Sequence, residues 1–245
     1  MGVWIVSWFL LSVFLKRNDI VDIAWGLGYI YLSVFFSLDI YLGPLQYIVY
    51  GLVSIWALRL SIYLFLRLKG KAEDFRYHNW RKEWGNAFYM RSFFQIYLLQ
   101  SVFLMIIALP LAMVNLYEGM GLKISVIPGI CFWLFGFYWQ SKADYQMVCF
   151  KSKPENKGRI IQSGLWAYSR HPNYFGELCM WWGIWLCLSP YPMAWLGLIS
   201  PVLISWLIIK VSGIPMLEKK YEAHPEFEAY KKRVPALIPQ FWKRP

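Results

Sequence analysis

Residues 164–177 read GLWAYSRHPNYFGE, and this polar stretch runs directly into the apolar LCMWWGIWL. Pro172 suits the first turn of a helix, so the residues before it would expose free backbone N–H groups and the positive end of the helix dipole. With Arg170 and His171 beside them, an anion such as a phosphate would be well received. Asn173 and Glu177, at i and i+4, share one helix face, where a carboxamide or amine would meet both an acceptor and a donor. The competing reading is a basic anchor with interfacial aromatics at the rim of a membrane helix. Glu177 argues against it, because an anchor has no use for a carboxylate facing hydrocarbon.

Two further charges stand inside apolar runs, Asp22 in VDIAWGLGY and Arg59 in SIWALRLSIYLF. Each costs about 2.5–3.5 kcal/mol to insert, so it is expected to be paired or functional. Asp22, Trp25 and Tyr29 fall on one helix face, as do Arg59 and Tyr63. Asp22 lies about one turn in from the cytoplasmic end of its span and Arg59 about two. They are placed to meet, as a packing pair or as the wall of a cavity.

The elements that must hold these residues are membrane helices. The chain has 245 residues, 58% hydrophobic and 16% charged, against roughly 45–50% apolar and about 25% charged in soluble domains. The reading is an all-α integral membrane protein with about seven spans, at 2–15, 20–38, 44–66, 92–117, 124–141, 172–189 and 192–212. Of 25 Lys and Arg residues, 23 follow the odd-numbered spans, leaving only Arg59 and Lys123 elsewhere. That bias places the N-terminus outside and the C-terminus in the cytoplasm. The net charge of +11 suits a basic cytoplasmic face beside anionic lipid and calls for no nucleic-acid partner.

No repeat or long linker divides the chain, so residues 1–245 read as one membrane domain with cytoplasmic pieces at 67–91, 142–171 and 213–245. The outer loops, 39–43, 118–123 and 190–191, are short, so a large polar ligand must come from the cytoplasm. The three histidines stand far apart and no C-x-x-C pair occurs, which argues against a metal site. Oligomeric state is left open.

GLWAYSRHPNYFGE, with DYQ at 144–146, GR at 158–159 and the ending LEKKY…FEAYKKRVPALIP, resembles the steroid 5-alpha-reductase-like (3-oxo-5-alpha-steroid 4-dehydrogenase) membrane family. More closely it resembles a mostly bacterial branch filed as a domain of unknown function, which shows VDIAWG and EDxRYxxWR as here. The R-H-P-x-Y core also occurs in isoprenylcysteine carboxyl methyltransferases, which bind S-adenosylmethionine. Asn173 followed by Gly176 and Glu177 favours the reductases.

The resemblance implies NADPH, or NADH, held on the cytoplasmic side of a bacterial inner membrane or its equivalent by the C-terminal part, about 124–245. Asp144, Lys151 and Arg159 would take the adenosine and phosphates. Arg170 and His171 would add to the anion site, beside Tyr174. Asn173 and Glu177 would lie near the nicotinamide, and Tyr230, with Lys231 and Arg233, belongs to the C-terminal motif. The implied activity is hydride transfer to a C=C bond conjugated to a carbonyl in a lipophilic substrate, steroid-like or another lipid. Asp22, Arg59, Tyr63 and Glu177 are the catalytic candidates, with Tyr29 a second possible hydroxyl. Trp56 stands where the family's carbonyl-gripping Tyr aligns, which separates this chain from steroid reductases at that point. The alternatives are an S-adenosylmethionine-dependent methyltransferase and a non-catalytic lipid-binding membrane protein.

Overall fold

The computed structural model describes residues 1–38, 40–219, 221 and 224–241. Asp39 of the first outer loop, Lys220 of LEKKY and residues 242–245 of the basic C-terminal end lie outside the described residues. Among the described residues all regular structure is helical. Four helical stretches are long and apolar enough to cross a membrane, Pro44–Leu68, Phe75–Ile107, Ile124–Ser152 and Ala194–Lys219, and Gly2–Leu15 and Val21–Ser37 are shorter apolar helices. These make the chain an integral membrane protein. Its residues fall into two units, Met1–Leu122 and Lys123–Pro245.

In the first unit, α1 (Gly2–Leu15) ends where Lys16 turns left-handed at φ 54° and its N–H returns to Val13. This C-cap lets α2 (Val21–Ser37) begin within a few residues. Gly26 of α2 packs on α3 (Pro44–Leu68), where an added Cβ would stand 2.9 Å from the Ala57 carbonyl. Asp74 caps α4 (Phe75–Trp84), accepting from the Arg76 N–H. The helical path continues through α5 (Phe88–Arg91), a π segment at Ser92–Leu98 and α6 (Leu99–Ile107). Pro110, with no N–H to donate, marks the break before α7 (Leu109–Met113). Backbone carbonyls near that break are met by side chains, because no water is present in hydrocarbon to satisfy them. Gln46 donates to Val114 O at 2.9 Å, Tyr50 to Leu111 O at 3.0 Å and Asn115 to Phe36 O at 2.8 Å.

In the second unit, α8 (Ile127–Ser152) runs past the expected end at 141 and carries Lys142, Asp144 and Lys151 as a continuous helix. It packs antiparallel on α9 (Pro172–Leu188) through glycines. An added Cβ on Gly129 would lie 2.8 Å from Gly183 O, and one on Gly136 would lie 2.5 Å from Gly176 O. Backbone thus meets backbone at two points seven residues apart on each helix, an approach that only small residues permit. Then follow α10 (Ile199–Trp206), a second π segment at Leu207–Val211, α11 (Ile214–Lys219) and α12 (Pro225–Arg233).

Candidate functional site

The motif before α9 is a fastening point. Residues 234–240 lie along 168–171: Arg170 N–H donates to Pro235 O at 2.9 Å, His171 N–H to Ala236 O at 3.0 Å and Gln240 N–H to Tyr168 O at 3.1 Å. Ser169, fully buried, adds a hydroxyl bond to Leu237 O at 2.8 Å. The Arg170 guanidinium, also buried, donates through Nε to Glu218 at 2.8 Å and through Nη1 to Val234 O at 2.5 Å. His171 Nε2 lies 3.1 Å from the same Glu218 oxygen, and its ring stacks on Tyr174 at 5.5 Å. Tyr230 donates to the Trp166 carbonyl. Burial holds its phenol above the ordinary value, so it serves as a neutral donor. Arg170 and His171, expected on the anionic part of a cofactor, and Tyr230 of the C-terminal cofactor motif are engaged in tying the C-terminal segment and α11 to the start of α9.

One turn further along α9 the arrangement changes. The Gly136–Gly176 contact brings Gln140 of α8 against Glu177, and Gln140 Nε2 donates to Glu177 Oε2 at 3.1 Å. Gln140 is only 2% exposed, yet its Oε1 makes no hydrogen bond among the described residues. The same holds for Asn173 Oδ1, Ser141 Oγ and Trp139 Nε1. An unsatisfied buried polar group costs about 1–3 kcal/mol. Trp139, Gln140 and Ser141 are consecutive and point to different sides of α8; of these atoms Gln140 Oε1 and Asn173 Oδ1 belong to residues flanking Glu177, where a ligand could supply the missing partners. Asp144, buried at 4% exposure, lies four residues beyond Gln140 on the same face. Lys151 and Arg159 are exposed cations, and Tyr174 is half-buried.

Sequence reasoning named Asn173, Glu177 and Asp144 but not Gln140 or the glycine seam that delivers it. The signal was present: Gly129 with Gly136, and Gly176 with Gly183, repeat the same seven-residue spacing in two consecutive spans.

In the first unit, Asp22 accepts from Arg76 Nη2 at 3.2 Å and from Tyr77 OH at 3.1 Å. Arg59 lies over the Tyr63 ring, 5.6 Å from its centroid. The two charges expected to meet thus show these other neighbours. Around Asp22 the motifs RND and EDFRYHNWR interlock. Arg17 grips the fully buried Asp19 with two bonds, at 3.0 and 2.9 Å. Asp74 N–H donates to Asp19 at 2.9 Å, Asn18 N–H to Glu73 at 2.7 Å and Arg81 Nη2 to Glu73 at 3.1 Å. Burial alone would raise the Asp74 pKa, but the hydrogen bonds and charge of Arg76, with Arg67, outweigh it and hold the carboxyl below its ordinary value. Among the described residues no group of three or more His, Cys, Asp and Glu is placed to hold a metal ion.

Comparison with curated proteins and with solved structures gave no match. The family described as Protein of unknown function (DUF1295) matches residues 8–234, nearly the whole chain, and the protein belongs to that family.

Proposed function

We propose that this protein is a membrane-embedded reductase that uses reduced nicotinamide, in the form of NADPH, to reduce a carbonyl-conjugated C=C bond of a lipophilic substrate. In the topology that goes with this reading, seven spans leave the N-terminus outside and the cofactor side in the cytoplasm, as the Lys and Arg bias favours. The observation that carries the reading is the cluster of unspent buried acceptors, Gln140 Oε1 and Asn173 Oδ1, beside Glu177. A nicotinamide carboxamide offers an NH2 donor, which fits such a set. The anionic part fits differently from the sequence expectation. Arg170 and His171 bond to Glu218; the exposed Lys151 and Arg159 are assigned to the phosphates, with Asp144 toward the adenosine.

When bound, the cofactor supplies the hydride. The chain's own work is to orient the carboxamide through Gln140, Asn173 and Glu177, to exclude water with the tryptophans of α9, and to donate a hydrogen bond to the substrate carbonyl as it becomes an enolate.

Equilibrium titration of the purified protein, followed by nicotinamide fluorescence, tests the reading. Saturable NADPH binding is expected, with at least a tenfold loss in Asn173→Ala and Glu177→Ala, equivalent to about 1.4 kcal/mol. Absence of binding by both NADPH and NADH would reject it, and saturable S-adenosylmethionine binding in their place would favour the methyltransferase.

A further inference from the structure

The first unit contains a small cleft, with a cavity volume of about 20 Å³, partly open to the outside and walled by α1, α2 and α6. Its walls include Trp4, Trp8, Ala24, Trp25, Gln100 and Leu104. The helices close tightly beside it, since a Cβ added at Gly28 would stand 2.5 Å from Leu104 Cδ1 and 3.6 Å from Trp4 Nε1. Ala24, one turn earlier, is too small to fill the gap. The aromatic walls are braced from behind: Trp4 stacks on Tyr31 at 5.1 Å, and Trp25 meets Tyr29 edge-on at 5.7 Å. The cleft is therefore preformed.

Its polar lining is sparse and unequal. Ser101 donates to Tyr97 O at 2.8 Å and the Tyr97 hydroxyl to Asn18 O at 3.5 Å, so both are spent within the chain. The Gln100 amide makes no hydrogen bond among the described residues and is not sealed inside the protein. It lies two residues after the π segment Ser92–Leu98, an irregularity that resets which side chains face α1 and α2 and that often marks functional positions. An unpaired amide in a membrane helix is costly, and a carboxamide both donates and accepts. Among the described residues no charged side chain lines the cleft, so a carboxylate or phosphate there would find no counter-charge from them. At about 20 Å³ the cleft has room for little more than one water-sized group, far below the roughly 300–1,000 Å³ that encloses a whole small molecule. It suits one end of a ligand whose remainder stays in the bilayer.

We propose that this cleft binds the oxygen-bearing end, a carbonyl or hydroxyl, of a neutral lipid, with the Gln100 amide as polar contact and Trp4, Trp8 and Trp25 as walls. The site stands independently of the reductase reading and would remain if no nicotinamide bound.

The test is photolabelling of the full-length protein in detergent micelles with three probes of one chain length and one diazirine position: a methyl ketone, a carboxylate and an alkane. The ketone is expected to label α1, α2 and residues 97–104 about fivefold more than either other probe, the ratio one net hydrogen bond gives. Gln100→Leu should erase that preference while leaving alkane labelling in place. Equal labelling by ketone and alkane would overturn the proposal, as would preference for the carboxylate or a ketone preference that survives Gln100→Leu. The three-probe comparison on the unaltered protein decides the matter even where the variant does not fold.

Discussion

Two polar clusters, one in each unit, treat their hydrogen-bonding capacity in opposite ways. At the corner before α2, the carboxylates of Asp19, Asp22, Glu73 and Asp74 all accept hydrogen bonds, from Arg17, Arg76, Arg81, Tyr77 and backbone N–H groups. At the α8–α9 seam, Gln140 and Asn173 keep buried oxygens without partners among the described residues, beside Glu177. The same contrast recurs within the second unit, where Arg170 and His171 are consumed by Glu218 one turn away from Asn173. Satisfied clusters hold helices together, and unsatisfied ones mark where an external partner is worth the cost.

The contrast breaks most visibly if the satisfied groups are removed. Glu218→Leu strips the buried Arg170 of its carboxylate and should destabilise the protein by about 3–5 kcal/mol. A thermal melt of the purified protein measures this, and an unchanged melt would mean that the C-terminal segment is not fastened there. Gly176→Ala tests the seam itself. Its Cβ would lie 2.6 Å from Gln140 N and from Gly136 O, so the helices must part, at about 1–3 kcal/mol. Gln140 would then leave Glu177, and NADPH binding should weaken together with the melting temperature.

The smallest effect concerns pH in the first unit. Because the folded-state pKa of Asp74 is depressed, its contribution is present above the ordinary carboxylate pKa and is lost as pH falls through the folded value. Asp74→Asn retains a side-chain cap for α4 but should lower the neutral-pH stability slightly, by under about 1 kcal/mol, read as a small drop in melting temperature. The difference between wild type and variant should shrink with acidification. A difference that stays constant to low pH would place the stabilisation elsewhere.

Much of the helical framework was legible in the sequence, because apolar blocks and prolines set helix ends locally. Pro44, Pro128 and Pro172 all sit in first turns, and the run of α8 beyond 141 was hidden only by its charged residues. The π segments were not legible, since they depend on backbone bonding rather than on composition. Nor were the long-range partners: Asp22 meets Arg76 across 54 positions and Arg170 meets Glu218 across 48. A sequence shows which residues carry charge, but only the fold shows whether that charge is already spent. For this reason RHP, which read as an anion site, proved to be committed inside the protein, while Gln140, an unremarked amide in an apolar span, became a central residue of the candidate site.

The most direct test of the account is a thermal-shift panel on the purified protein with NADPH, NADH and S-adenosylmethionine, run on wild type, Asn173→Ala and Gln140→Leu. Nicotinamide cofactor at about 100-fold over its Kd should stabilise wild type by about 2.7 kcal/mol, and both variants should fold yet lose most of that gain. A wild-type protein that shifts with neither NADPH nor NADH, or variants that shift as fully as wild type, would contradict the claim that the unspent acceptors of the α8–α9 seam receive the cofactor.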